Sequence, residues 1–352
     1  MKRVTVPFFI SHQGCPHACV FCDQRTISGS SGALPTATEI LAKIHAWQGT
    51  AGNLPLEVAF FGGTFTALPA TTQKRLLEPL KPLLASGAVK SVRISTRPDY
   101  IDEERVKWLS DQGVAIIELG VQSMDDQVLA MAGRGHDAAS SAAAIRCIAC
   151  HGISAVAQLM PGLPGDTPAK SVTSLHRVMA AGAGSVRIYP AVVLRGTGLA
   201  AMFEAGEYYP LSIDEGIKLC KVLLHSAMKA GVDVIRIGLQ ADADLNGDTV
   251  LAGCWHPALG QLVRSRLYAD LLCQLASSHR AEMPISIMCH PSRVSDVVGQ
   301  GRINLKRLWS QEVAIKVKSN SSLQEEEVII NYIDQEIKGH IVTDLKYDIH
   351  EV

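Results

Sequence analysis

The chain has 352 residues, 47% hydrophobic and 19% charged, a composition that buries a sizeable core and excludes a disordered protein. Its formal net charge of −1 gives no overall pull on a polyanion, so any nucleic-acid site has to be a local patch. No run of about 18 apolar residues predicts a membrane span. The N-terminus lacks the apolar core of a signal peptide, and nine scattered cysteines do not form a disulfide framework, so a cytoplasmic protein is expected.

Taken in order, the first 240 residues repeat one rhythm of short β-branched strand, loop and helix. Strands are predicted at Val4–Ser11, Leu56–Phe61, Ser91–Ser95, Val114–Leu119, Ile153–Leu159, Ser185–Tyr189 and Val232–Ile237. Helical stretches fall at Thr38–Trp47, Thr71–Leu84, Glu103–Asp111, Ser140–His151 and Ile213–Ala230. Such alternation predicts an α/β fold with a parallel sheet, curled into a full or partial barrel. Residues 1–240 are read as this barrel and 241–352 as a smaller C-terminal α+β region. In that region Asp242–Asn246 reads as a linker or surface loop, Leu259–Ser277 as a helix, and Pro284–Met288, Val313–Val317 and Val328–Ile333 as apolar runs or strands.

The residue types that carry chemistry cluster where strands end, the edge on which parallel barrels keep their sites. Just after the first strand, Gly14–Cys22 places Cys15, Cys19 and Cys22 within eight residues. Soft thiolates so spaced suit an iron–sulfur cluster with one iron left open, or a zinc site completed by His12 or His17. Gly62-Gly63-Thr64 follows the second strand, and paired glycines let backbone approach a ligand closely, although a plain turn also accounts for them.

The C-x3-C-x2-C run with Phe21 before its last cysteine resembles the signature of the radical S-adenosylmethionine (radical SAM) superfamily. The resemblance implies a (β/α)6 partial barrel and a [4Fe-4S] cluster on Cys15, Cys19 and Cys22. It also implies that the open iron chelates S-adenosylmethionine, whose reductive cleavage yields a 5′-deoxyadenosyl radical. Phe21 would lie near the adenine, with core packing as the plain alternative, and Gly62, Gly63 and Thr64 would hold the methionine amino group. Further segments are similar to the branch holding the coproporphyrinogen dehydrogenases and the elongator catalytic subunit: Ser95-Thr96-Arg97-Pro98-Asp99, Glu118–Ser123, Arg134-Gly135-His136, and Gln158–Gly165. By that likeness Gln122, Arg134 and Gln158 contact the ribose or carboxylate of the cofactor. Gln158 stands where the coproporphyrinogen branch commonly has an acidic residue, which favours the elongator-like branch.

The same likeness leads to an external flavodoxin- or ferredoxin-like electron donor and to RNA or an anionic metabolite as substrate. Arg97, Arg187 and Arg195 are expected to put positive charge around the barrel mouth, or to serve in structural ion pairs. The elongator subunit carries an acetyltransferase domain that the tail after residue 240 is too short to hold, so its acetyl-dependent chemistry is not expected here.

Other cysteines read more plainly. Cys147 and Cys150 share a helix face as small buried side chains, with a redox pair as the alternative, and Cys220 and Cys273 read as core. Cys254 sits in a loop that is either packed or placed to reach the site. Arg302, Lys306, Arg307, Lys316 and Lys318 around Trp309 read as a solvated basic face or a nucleic-acid patch.

Overall fold

A computed structural model describes residues 3–23, 33–239, 249–277, 286–309 and 315–348. The expected linker at Asp242–Asn246 lies outside the described residues. The chain forms two compact units, one of Met1–Leu211 with Val232–Trp255, the other of Ser212–Gly231 with His256–Val352.

In the first unit, β1 (Val4–Phe9), β2 (Leu56–Phe61), β3 (Val89–Thr96), β4 (Val114–Gln122), β5 (Ser154–Leu159) and β6 (Ser185–Ile188) lie side by side in chain order. A two-stranded ribbon intervenes, β7 (Val192–Leu194) against β9 (Val250–Gly253). The last strand of the large sheet is β8 (Asp233–Ile237). All neighbours in the seven-stranded sheet are parallel, and it curls into the expected half-barrel. Most crossover helices begin on a side-chain cap, as sequence chemistry dictates: Thr36, Asp102, Asp125, Asp137 and Thr167 each accept a backbone N–H of the first turn.

The two faces of this sheet differ. Val58, Phe60, Val92, Ile94, Ile117, Leu119, Val186 and Ile188 are fully buried and form the apolar face covered by helices. Several of the alternate positions are charged. Arg93 Nε bonds Glu57 at 2.8 Å and its Nη1 bonds Glu118 at 2.6 Å, while Arg187 Nη2 reaches Glu118 at 2.8 Å. Arg187 also donates to the Tyr189 hydroxyl at 3.0 Å and stacks over Phe61. This ladder crosses β2, β3, β4 and β6, so paired charges run across the inner face among its apolar residues.

In the second unit, helices Ile213–Lys229 and Leu259–Ala276 accompany a four-stranded sheet. Its strands are β10 (Ser286–Cys289), β11 (Lys316–Ser319), β12 (Glu327–Asn331) and β13 (Glu336–His340), and β10 sits between β11 and β12. Ile213–Lys229, which the strand–helix rhythm joins to the barrel, clusters here. Trp309 is 4% exposed, so the aromatic at the centre of the expected basic patch is core and cannot stack on a base.

Removing Glu118 leaves the Arg187 guanidinium buried without a carboxylate and leaves Arg93 with Glu57 alone. Glu118→Ala is expected to destabilise the first unit by about 3–5 kcal/mol in chemical denaturation. A loss below about 1 kcal/mol would mean that the ladder behaves as a surface ion pair.

Candidate active site

The cysteine loop has no regular structure of its own and is shaped by what it touches. After β1 the chain turns through His12 (φ 58°) and Gly14 (φ 73°). Three backbone bonds zip it to the β2 exit: Ile10 N to Phe61 O (2.7 Å), His12 N to Gly62 O (3.0 Å) and Thr64 N to Gln13 O (2.9 Å). The approach is so close that a Cβ on Gly63 would stand 2.5 Å from Ile10 O and 2.6 Å from Gln13 O. A Cβ on Gly14 would stand 2.4 Å from Thr64 O. Gly63 is therefore a contact surface for the cysteine loop, and its neighbour Gly62 takes φ 87°. The Cys15 thiol lies 3.3 Å from the Thr64 hydroxyl, which is fully buried.

A second clamp comes from residues 132–135. Val20 N donates to Ala132 O at 3.2 Å, and a Cβ on Gly133 would sit 3.3 Å from Ala18 O. The His17 ring lies directly over Gly135. A third comes from the start of helix Gly198–Glu204, where Leu199 N donates to Val20 O at 2.7 Å. Nothing in the spacing of Gly198 or Leu199 signals this contact in the sequence.

Arg134, 5% exposed, links the loop to the barrel. Its Nη1 donates to Cys19 Sγ at 3.0 Å and its Nη2 to Gly120 O at the end of β4. Arg97 is buried below it, held by two bonds to Asp99 (2.9 and 3.0 Å), and donates to the Arg134 carbonyl. Of the two readings of these arginines, ion pairing holds for Arg97 and Arg187, bound to Asp99 and Glu118, while Arg195 is exposed. His136 completes the group. Burial, then the Arg134 and Arg97 charges, push its pKa down to about 4, so it is neutral at physiological pH.

Gln122 closes β4 in a left-handed conformation (φ 67°), uncommon for a residue other than glycine and a strain of the kind concentrated at sites. Gln122 Oε1, Arg134 Nε and His136 Nε2 are all buried without a hydrogen-bond partner. Each such atom costs about 1–3 kcal/mol; Gln122 and Arg134 both stand beside Gly120, and the set fits a polar ligand carrying carboxylate, amine and hydroxyl groups. Gln158, half-buried, stands in register with Arg187 on the inner face of the sheet.

Phe21 is 9% exposed and packs with Val128, Ala132, Leu163, Leu199 and Tyr208, so it is core at this level of structure. Among the described residues no three metal-ligating side chains converge as a ready-made ion site. The fold thus brings Cys15, Cys19 and Cys22 to one loop without closing them on each other. The donor set itself, three partly accessible thiols in no disulfide with an arginine beside one, fits an iron–sulfur cluster.

The remaining cysteines divide. Cys220 is buried as expected, but Cys150 and Cys273 are exposed and Cys147 is half-buried, because each falls on the outer side of its helix. Cys254 is 1% exposed, with its thiol pushed up to about 12 by burial, which is the packed-loop reading.

Comparison with known proteins agrees with this architecture. The radical SAM superfamily model matches residues 9–177, and a radical SAM C-terminal domain model matches 184–269. An uncharacterized protein of Methanocaldococcus jannaschii is 31% identical over 225 residues, covering 60% of this chain and 69% of that one. The tRNA uridine(34) acetyltransferase of the same organism is 28% identical over 299 residues, covering 73% of this chain and 54% of the relative. The solved structure of Methanocaldococcus infernus Elp3 with an N-terminal deletion superposes with a TM-score of 0.61 at 23% identity, covering 76% of this chain and 62% of that one. This chain belongs to the radical SAM superfamily. It spans about half the length of the tRNA uridine(34) acetyltransferases it matches. No helix among the described residues is long and apolar enough to cross a membrane.

Two outcomes follow from the geometry. Gly63→Ala has to displace the backbone of the cysteine loop, so iron bound after anaerobic reconstitution should fall severalfold while far-ultraviolet circular dichroism stays unchanged. The neutral His136 makes stability pH-dependent. Its folded pKa lies below the usual 6.5, so the unfolded chain binds the extra proton, and stability is lost as pH falls from about 6.5 to 4. The loss approaches about 3 kcal/mol and should shrink in His136→Gln, as read by urea denaturation across that window.

Proposed function

We propose that this chain is an elongator-like radical SAM enzyme that binds a [4Fe-4S] cluster through Cys15, Cys19 and Cys22 and starts radical chemistry on an RNA nucleoside. One observation carries the reading: the loop with three thiols in no disulfide is clamped against Thr64 and Arg134, and Gln122, Arg134 and His136 each keep a buried polar atom without a hydrogen-bond partner. When bound, the cluster supplies the electron, from a flavodoxin- or ferredoxin-like donor, that cleaves S-adenosylmethionine and makes an organic radical.

The chain's own residues bind and orient. Arg134 presents a guanidinium held by Gly120 O and Cys19 Sγ, on a backbone whose carbonyl Arg97 holds, suited to a carboxylate. Gln122 and neutral His136 offer an amide and an imidazole to hydroxyl or amine groups, and Gln158 adds an amide from β5. Gly62, Gly63 and Thr64 hold the neighbouring loop. The buried walls of the inner face exclude water from a reactive radical. RNA is favoured over a small anionic metabolite because the relatives include tRNA uridine(34) acetyltransferases.

Anaerobic reconstitution tests the first half. About four irons with matching sulfide, and 5′-deoxyadenosine formed from S-adenosylmethionine and dithionite, are expected, both lost in Cys19→Ala. Bound zinc without cofactor cleavage would sink the proposal. For the second half, cleavage should be stimulated by added tRNA and not by small carboxylates or phosphates; the reverse response would replace RNA with a metabolite.

A further inference from the structure

The second unit holds a cavity of about 340 Å³ that the barrel chemistry does not use. Its walls are two helical stripes and a C-terminal segment. Lys218, Lys221 and Val222 come from Ile213–Lys229, Arg266, Asp270 and Gln274 from Leu259–Ala276, and Leu345–Asp348 closes the third side. Spacings of three and four residues put each set on one helix face. Four cations, Lys218, Lys221, Arg266 and Lys346, meet two carboxylates, Asp270 and Asp348, so the lining carries a surplus of two positive charges in a chain whose net charge is −1.

The charges are ordered rather than mixed. Lys221 is tied down: it bonds Asp270 at 2.6 Å, lies 4.3 Å from the centre of the Tyr347 ring and has a side chain 13% exposed. Tyr347 donates to the same carboxylate at 2.8 Å and meets His225 edge-on. Asp270 is thereby satisfied, with Arg266 standing off at 3.9 Å. Among the described residues Lys218 and Lys346 make no ion pair within 4.0 Å. Like charges gathered around one cavity repel unless an anion enters it.

We propose that this cavity is a binding site for a phosphomonoester of nucleotide size. A phosphomonoester dianion matches the surplus charge, and Lys218, Arg266 and Lys346 are its partners. The Gln274 amide oxygen suits a sugar hydroxyl, its Nε2 donating to Asp344 O at 3.3 Å, and the volume is that of a small-molecule pocket. A polymer of phosphodiesters fits less well, since the two carboxylates in the wall would face successive phosphates.

The test is isothermal titration calorimetry on the full chain with four probes: uridine 5′-monophosphate, inorganic phosphate, uridine, and an oligouridylate lacking a terminal phosphate. Saturable binding of the monophosphate at one site is expected, weaker binding of phosphate, and none of uridine. Lys218→Glu and Lys346→Glu should each weaken the monophosphate by at least about tenfold, and rising salt should weaken it further. Lys107→Glu, exposed in the first unit, should change nothing, and Lys218→Ala with an unchanged melting temperature separates a binding loss from misfolding. Uridine binding as well as its monophosphate, an oligouridylate binding more tightly than the monophosphate, or affinity unaltered in the two Lys→Glu variants would each overturn the proposal.

Discussion

A loop that carries three thiols but no secondary structure must find partners for its backbone elsewhere, and that requirement organises the first unit. The β2 exit, residues 132–135 and the first turn of helix Gly198–Glu204 supply them. Each comes from the end of a different βα element, so the thiols are placed by the sheet as a whole rather than by their own sequence. Close backbone approach at Gly14 and Gly63 makes the first of these contacts intolerant of any side chain, where a bond through flexible side chains would allow drift.

Electrostatics extends the same logic inward. Arg134 is shared between a thiol and a strand carbonyl, and its own carbonyl is held by Arg97, whose charge is balanced by Asp99. A protonated His136 would add a third positive charge to this cluster; the two arginines and burial keep it neutral. The Glu57–Arg93–Glu118–Arg187 ladder does for the barrel interior what apolar side chains do for the outer face, and it does so with every charge satisfied.

Much of this was legible in the sequence because parallel strands announce themselves by apolar runs and their ends by glycine, proline and polar residues. All seven strands of the half-barrel were expected near where they lie, as was the cysteine loop. What escaped has physical reasons. The β7–β9 ribbon joins segments of three and four residues about sixty positions apart, too short to show a period. Arg97 and Arg187 read equally as free charge or as ion pairs, because their partners are a near neighbour in a turn and a glutamate two strands away, and spacing does not show which way a side chain points. Cys150 and Cys273 read as buried by residue type, yet helix phase decides exposure. Ile213–Lys229 follows the barrel rhythm in sequence and packs with the second unit, since rhythm gives order along the chain and not the partner of a helix face.

The motifs that seemed independent in the sequence are one contact network. Asp166 accepts Gly162 N at 2.8 Å and the Ser171 hydroxyl at 2.6 Å, and Tyr208 donates to Gly162 O at 2.5 Å. The loop after β5 is therefore gripped from two sides, and burial raises the pKa of both Asp166 and Tyr208. Tyr208 in turn packs in the same apolar cluster as Phe21, between Cys19 and Cys22 in sequence, and Met160 N bonds the strained Gln122 carbonyl. Displacing any one of these segments moves the others. That mechanical coupling explains why their joint register, rather than any single residue, identifies the site.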